Sequence, residues 1–338
     1  MEDVNSRPFK DIENQITGLQ KRGLVIENKS HAKKVLLKEN YYCVINGYKS
    51  PFLQKDSYME PVFPEKYQQG TRFSEIYNLY CMDKDLRGLL LKHILKFETK
   101  VKSLVAYYFS EAHPEKYGYL HFINYSQEEK DLSDVLKNIQ KLSNKIETHK
   151  NKKYDNSIKH YIDNHKNVPL WVLVNFLTFG ELQYLFLSLE DNIKEKVCKT
   201  ISEDFKNEHI ANERIGTEEL KMILKTGNLF RNVCAHDEVL YNYKMGKKFK
   251  SGLFSKYFEN NSKFNAQDSS HCKADLFTMI SMIKLVSTNK DYKDFVRQLE
   301  IIFKQYRGKY NSIHFDEILK SMGLENNWKD QLNIKKKS

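Results

Sequence analysis

Between Phe73 and Glu111 the chain carries no proline, and Gly88 is the only break in a run otherwise built for helix. Ile76, Leu79, Tyr80, Leu86, Leu90, Ile94, Phe97, Val101, Leu104, Val105 and Tyr108 recur along it at the helical period. One long helix, or two nearly continuous ones, is predicted as the spine of the fold. Asp83 with Arg87, and Glu98 with Lys102, sit on it as i, i+4 pairs of opposite sign, the spacing of neighbours on a helix surface. Only 13 Gly and 6 Pro punctuate 338 residues, as expected when long helices leave few turns. No alternating strand pattern of any length occurs, so the fold class is predicted to be all-α.

The rest of the chain divides around that spine. Residues 1–66 read as a small N-terminal helical unit and 67–338 as the main helical domain. Phe9, Ile12, Ile16 and Leu19 keep helical spacing, and Ser30 is a predicted N-cap for a helix carrying Ala32, Val35 and Leu36. The stretch from Asn40 to Phe52 crowds Tyr41, Tyr42, Tyr48 and Lys49 together. It reads either as a staple docking this unit or as an RNA-facing platform, where tyrosines stack bases beside lysine. Residues 54–70, with Pro61, Pro64 and Gly70, read as a linker. Beyond the spine, residues 131–166 are helical and lysine-rich; Lys141, Lys145, Lys152 and Lys153 mark a stripe for a polyanion, or else a solvated face. Pro169 opens an apolar helix, with a kink or stop expected at Gly180. The helical period is lost across 244–271, a basic, Asn/Ser-rich insertion expected to be mobile, and Lys335–Lys337 forms a basic tail.

Formal net charge is +11, which favours a polyanionic partner. Lysine outnumbers arginine 47 to 8, a skew that reflects gene base composition at least as much as function. Five cysteines lie far apart and fit neither a disulfide framework nor a zinc site, so a reducing cytoplasm and no metal are expected. No signal peptide or membrane span is read.

The candidate chemistry lies in Phe230-Arg231-Asn232-Val233-Cys234-Ala235-His236. An Arg-x(4–6)-His match arises about once by chance in such a chain, and Arg87…His93 and Arg307…His314 also match. On a helix, Leu220, Ile223, Gly227, Phe230 and Cys234 form one apolar stripe, while Met222, Leu229, Val233 and Leu240 form a second on roughly the opposite side. Asn232 and His236 are then neighbours, with Arg231 able to swing toward them. Gly308 and Asn311 break the helix between Arg307 and His314; Arg87 and His93 point about 120° apart. A helix with an exposed histidine and a capping or ion-paired arginine remains the plain alternative. The second apolar line has no evident cover in sequence, so pairing of two copies along it, a homodimer, is predicted.

Several motifs in order resemble the Abi-like abortive-infection proteins of the AbiD/AbiF type. They are Leu19–Ile26, Asn40-Tyr41-Tyr42 with Gly47-Tyr48, Leu79-Tyr80 with Asp83–Arg87, Glu98, Pro169-Leu170-Trp171, Phe179–Leu182, and Arg231-Asn232 with His236 and Tyr241-Asn242. Asp237-Glu238-Val239 stands where more basic residues are frequent, and Lys102 where arginine is common. The resemblance implies a helical bundle of the HEPN superfamily, whose Arg-Asn…His motif cleaves RNA without metal or other cofactor and leaves a 2′,3′-cyclic phosphate. Two motifs, usually from two subunits, make one site there. It further implies phage defence by abortive infection or as a toxin–antitoxin hydrolase, restrained by a structured noncoding RNA. Arg231, Asn232 and His236 are then the catalytic candidates, supported from behind by Asp83, Arg87 and Glu98. The reading from a different class is a non-catalytic RNA-binding protein.

Overall fold

The computed structural model describes residues 9–245, 249–265 and 273–336. Parts of the basic insertion (246–248 and 266–271), Cys272, Lys337, Ser338 and the first eight residues lie outside them. Helices dominate, and among the described residues only isolated bridge pairs, such as Val25 with Arg72, stand in for a sheet. The predicted all-α class is what the chain adopts.

In chain order the helices are α1 (Ile12–Lys21), α2 (Lys29–Glu39), α3 (Phe73–Ala112), α4 (Leu132–Lys150), α5 (Ser157–His165), α6 (Leu170–Leu173), α7 (Phe179–Ser188), α8 (Asp191–His209), α9 (Thr217–Ala235), α10 (Ser262–Asn265), α11 (Leu276–Val286), α12 (Asn289–Arg307) and α13 (Phe315–Ser321). The predicted spine is one unbroken helix, α3, and Gly88 does not interrupt it. The N-cap of α2 is Asn28 and not Ser30: its side chain accepts the His31 N–H at 2.9 Å. Likewise the break after α6 falls before Gly180. Thr178 caps α7 in a reciprocal box with Glu181, leaving Gly180 inside the first turn.

The chain forms two compact units. The first joins residues 1–89, 237–243 and 296–326; the second holds 90–236, 244–295 and 327–338. In the first, Leu19, Ala32, Leu36, Ile45, Phe52, Ile76, Leu79, Met82 and Leu86 are buried, and Phe52 stacks on Tyr310 at 6.3 Å. Residues 54–70 are not a slack linker. Leu53 pairs with Tyr67 and Lys55 with Pro61, because buried Leu53 and Tyr67 close the loop on itself.

In the second unit the contacts run α4 to α7, α7 to α9, and α8 and α11 to α9. The described part of the basic insertion also packs. Phe249, Phe254, Tyr257, Phe258 and Phe264 are buried, with Phe249 and Phe254 stacked at 5.5 Å. Five aromatics within sixteen residues supply a core of their own, which outweighs the Asn/Ser-rich composition.

Candidate functional site

Helix α9 carries the Arg231 stretch, and its first apolar stripe is buried as predicted: Leu220, Ile223 and Phe230 are inaccessible and Cys234 nearly so. Gly227 lets α7 approach. A Cβ there would lie 3.0 Å from Phe179 Cε1 and 3.2 Å from its Cζ, so any side chain would push the Phe179 ring away. Met222, Val233 and Leu240 of the second line are buried as well, and Leu229 is half-buried. The single chain therefore already covers the line on which pairing of two copies was predicted. Sequence periodicity marks an apolar face but carries no record of which distant segment covers it.

The polar set sits at the C-terminal end of α9. The helix stops at Ala235, and His236 caps it by donating its backbone N–H to the Asn232 carbonyl at 2.9 Å. Asp237 follows in the left-handed region at φ 54°, a conformation that Asp tolerates better than most residues and that turns the chain out of the helix. Asn232 and His236 are thus adjacent, as the spacing required. Arg231 Nη1 reaches Asn232 Oδ1 at 3.5 Å, while its Nε is buried without a hydrogen-bond partner. His236 is exposed, and among the described residues nothing hydrogen-bonds its ring. An arginine held only at one edge beside a free imidazole leaves donors for an anion.

The two competing Arg…His matches are tied up in the fold. His93 is buried with its ring 4.8 Å from Phe295, and burial lowers its pKa. Arg307 meets Asp316 at 3.6 Å and lies over the Phe315 ring, while His314 caps α13.

Within the first unit, Asp83, Arg87 and Tyr48 form a buried cluster. Asp83 Oδ2 accepts from the Tyr48 hydroxyl at 2.7 Å, from Arg87 Nη1 at 2.8 Å and from the Leu240 backbone N–H at 2.9 Å. Arg87 also donates to the Glu238 carbonyl at 3.2 Å and meets Asp237 at 3.4 Å. The cluster therefore anchors the segment that begins one residue after His236. Gly47 completes the fit, since a Cβ there would come within 2.9 Å of a Val239 methyl. Burial pushes the Asp83 carboxyl up, and its donors pull it back; burial also pushes the Tyr48 phenol up, so it stays a neutral donor.

This corrects the place given to Tyr48: at 1% exposure it presents no face to a base. Of its companions, Tyr41 is bonded by Arg22 at 2.9 Å and Lys49 pairs with Glu65 at 2.7 Å, while Tyr42 is exposed. Glu98 is buried on Lys102 at 2.7 Å, and Lys102 also donates to the Leu177 carbonyl. On the lysine stripe, Lys145 pairs with Glu181 at 3.0 Å. Lys141 and Lys152 stand over the exposed rings of Tyr184 and Tyr154 at 4.3 and 5.2 Å, and Lys153 is exposed. Sequence reading missed the hold on the 237–241 segment. Its available signal was a charged i, i+4 pair set among Leu79, Met82, Leu86 and Leu90, on the buried side of α3.

Among the described residues, no group of three or more His, Cys, Asp and Glu is placed to hold a metal ion, and no helix is long and apolar enough to cross a membrane. A family model described as Abi-like protein matches residues 34–242, more than half of the chain. No curated protein and no solved structure matches it.

Proposed function

The chain belongs to the Abi-like family, and we propose on that premise that it is a metal-independent endoribonuclease of abortive-infection phage defence. The family implies the defence role. The observation that carries the chemistry is the end of α9, where half-buried Arg231 and Asn232 adjoin an exposed His236. An imidazole titrates near neutrality in general and so suits proton transfer at a ribose. His236 takes the 2′-OH proton, the 2′-oxygen attacks the adjacent phosphorus, and the 5′-oxygen leaves with a proton. The products are a 2′,3′-cyclic phosphate and a free 5′-OH. Arg231 holds the charge of the five-coordinate phosphorane, and Asn232 orients the imidazole or a phosphate oxygen.

One base and one acid are needed, and each chain brings one such histidine. Two copies, meeting at the exposed ends of α9 and not along its buried second line, would supply both, in keeping with the HEPN resemblance. Purified protein is expected to cut RNA in EDTA, to leave cyclic phosphate ends, and to lose this in His236→Ala. Cleavage that persists in His236→Ala overturns the reading. A structured noncoding RNA is the proposed restraint, and sequencing the RNA that copurifies from the native host tests it.

A second reading, RNA retention without cleavage, draws support from Lys141 over Tyr184 and Lys152 over Tyr154, each a cation beside an exposed ring. It predicts intact RNA bound with an affinity that His236→Ala leaves unchanged.

A further inference from the structure

Trp171 faces outward from a helix that buries everything else. In α6, Leu170, Val172 and Leu173 are inside, yet the indole is 55% exposed. Packing therefore places the backbone of α6 without using its largest side chain. Tyr107, on α3, is 62% exposed and lines the same cavity of about 470 Å³, floored by Ala106 and Val174. A second cavity of about 200 Å³ adjoins it, and Trp171 and Ser110 line both. Trp171 thus borders both hollows. Neither hollow is lined by Arg231, Asn232 or His236.

The lining sets the kind of occupant. The rings of Trp171 and Tyr107 with Ala106 and Val174 suit a ring, beside the polar Lys102, Ser103, Ser110, Glu111 and Asn175. Asn175 turns its amide hydrogens back to the Trp171 carbonyl at 3.0 Å and the Val172 carbonyl at 3.3 Å, which leaves its oxygen as an acceptor. Lys102 also lines the wall, its charge already matched by Glu98 at 2.7 Å. Of the two carboxylates at the rim, the one on the larger hollow is matched by a cation. Glu111 pairs with Lys196 at 2.7 Å, and Glu115 accepts from Asn124 and faces His121 at 3.7 Å. The larger hollow thus offers a passing phosphodiester no unpaired acid, on a chain of net charge +11.

We propose that Trp171 and Tyr107 form a stacking site for unpaired nucleobases of single-stranded RNA, distinct from the residues that cut it. This rests on RNA being the ligand, as in the reading above, but not on cleavage. Each base stacked on an aromatic ring of this kind is sequence-tolerant, since every base has a π-face.

The test uses the full chain and an uncleavable probe, a 2′-O-methyl hexauridylate. The chain has two tryptophans, and Trp328 is buried at 6% exposure, so quenching by an external solute reports Trp171. The hexamer is expected to quench Trp171 and shield it from acrylamide, while an abasic chain of equal length does neither. Trp171→Ala should weaken binding about tenfold and Trp171→Phe should restore most of it. Equal shielding by the abasic chain, or unchanged affinity in Trp171→Ala, overturns the proposal. So does shielding that rises with protein concentration alone, which would mark a contact between copies. Cleavage with no shielding removes only the stacking site; shielding with no cleavage removes only the nuclease reading.

Discussion

Arg87 and Arg231 both sit on amphipathic helices beside a polar neighbour, and the fold treats them in opposite ways. Arg87 is buried at 3% exposure and spent on Asp83, Tyr48, Asp237 and the Glu238 carbonyl. Arg231 is half-buried and touches Asn232 at the limit of a hydrogen bond; each arginine leaves its buried Nε without a partner, so the difference lies in the Nη donors. A guanidinium desolvated by folding must be matched by the protein, or its burial costs several kcal/mol. One left short of partners at an accessible edge is available to a ligand. The first arginine organises a backbone; the second makes one long side-chain contact with its neighbour.

The contrast is broken most directly by deleting its anchors. Asp83→Ala strands Arg87 without its carboxylate and should cost about 3–5 kcal/mol in urea unfolding. The double variant Asp83→Leu/Arg87→Met should recover much of that, because replacing a buried pair together is far less costly than breaking it. Arg231→Ala is expected to shift stability by less than ~1 kcal/mol while cleavage falls at least about a hundredfold. Equal destabilisation by Asp83→Ala and Arg231→Ala would erase the distinction.

Lys284 sharpens it, as a cation folded inward with no carboxylate paired to it among the described residues. It is the only residue of α11 that is not fully buried, its ammonium lies 4.9 Å from the Tyr292 ring centroid, and burial pushes it down to about 8. The unfolded chain binds this proton more tightly, so the penalty is complete below pH 8 and fades as pH rises toward 10.5. Lys284→Met should stabilise the protein by about 1 kcal/mol at pH 7, once partial exposure is discounted, and by almost nothing above pH 10.5. Urea midpoints at the two pH values decide it.

The smallest effect belongs to Glu181. Burial alone would raise its carboxyl, but the Thr178 N–H and Lys145 outweigh that and hold it below the ordinary value of 4.5. Its contribution is therefore complete above pH 4.5 and lost as the solution is acidified through the lowered folded value. Glu181→Gln should lower stability by less than ~1 kcal/mol at pH 7 and leave no difference at strongly acid pH, read from thermal unfolding by circular dichroism.

What could be read in advance followed from local periodicity. The length of α3, the buried stripe from Leu220 to Cys234 and the adjacency of Asn232 to His236 all depend on residues within a few turns of one another. What escaped depends on partners far away in sequence. Tyr48 looked like a stacking ring because its acceptor, Asp83, lies 35 residues on. The clasp on Leu240 uses a backbone N–H, which leaves no trace in residue type. Met222 and Val233 looked uncovered because no local pattern records what lies over them. Trp171 drew notice only within a run of motifs, since exposure is invisible until α6 shows which of its neighbours turn inward.

The first unit is assembled from three separate stretches, and the clasped residues after His236 come from the second of them. During synthesis at about 5–20 residues per second, Tyr48, Asp83 and Arg87 emerge roughly ten seconds or more before Leu240 exists to be held. The last stretch, 296–326, follows later still. A ribosome that stalls, or a message cut midway, leaves a chain with the α3 arginine waiting and the turn beyond α9 unfixed. For a protein proposed to cut RNA, that order of emergence leaves the turn after His236 unfixed until the second stretch has been made.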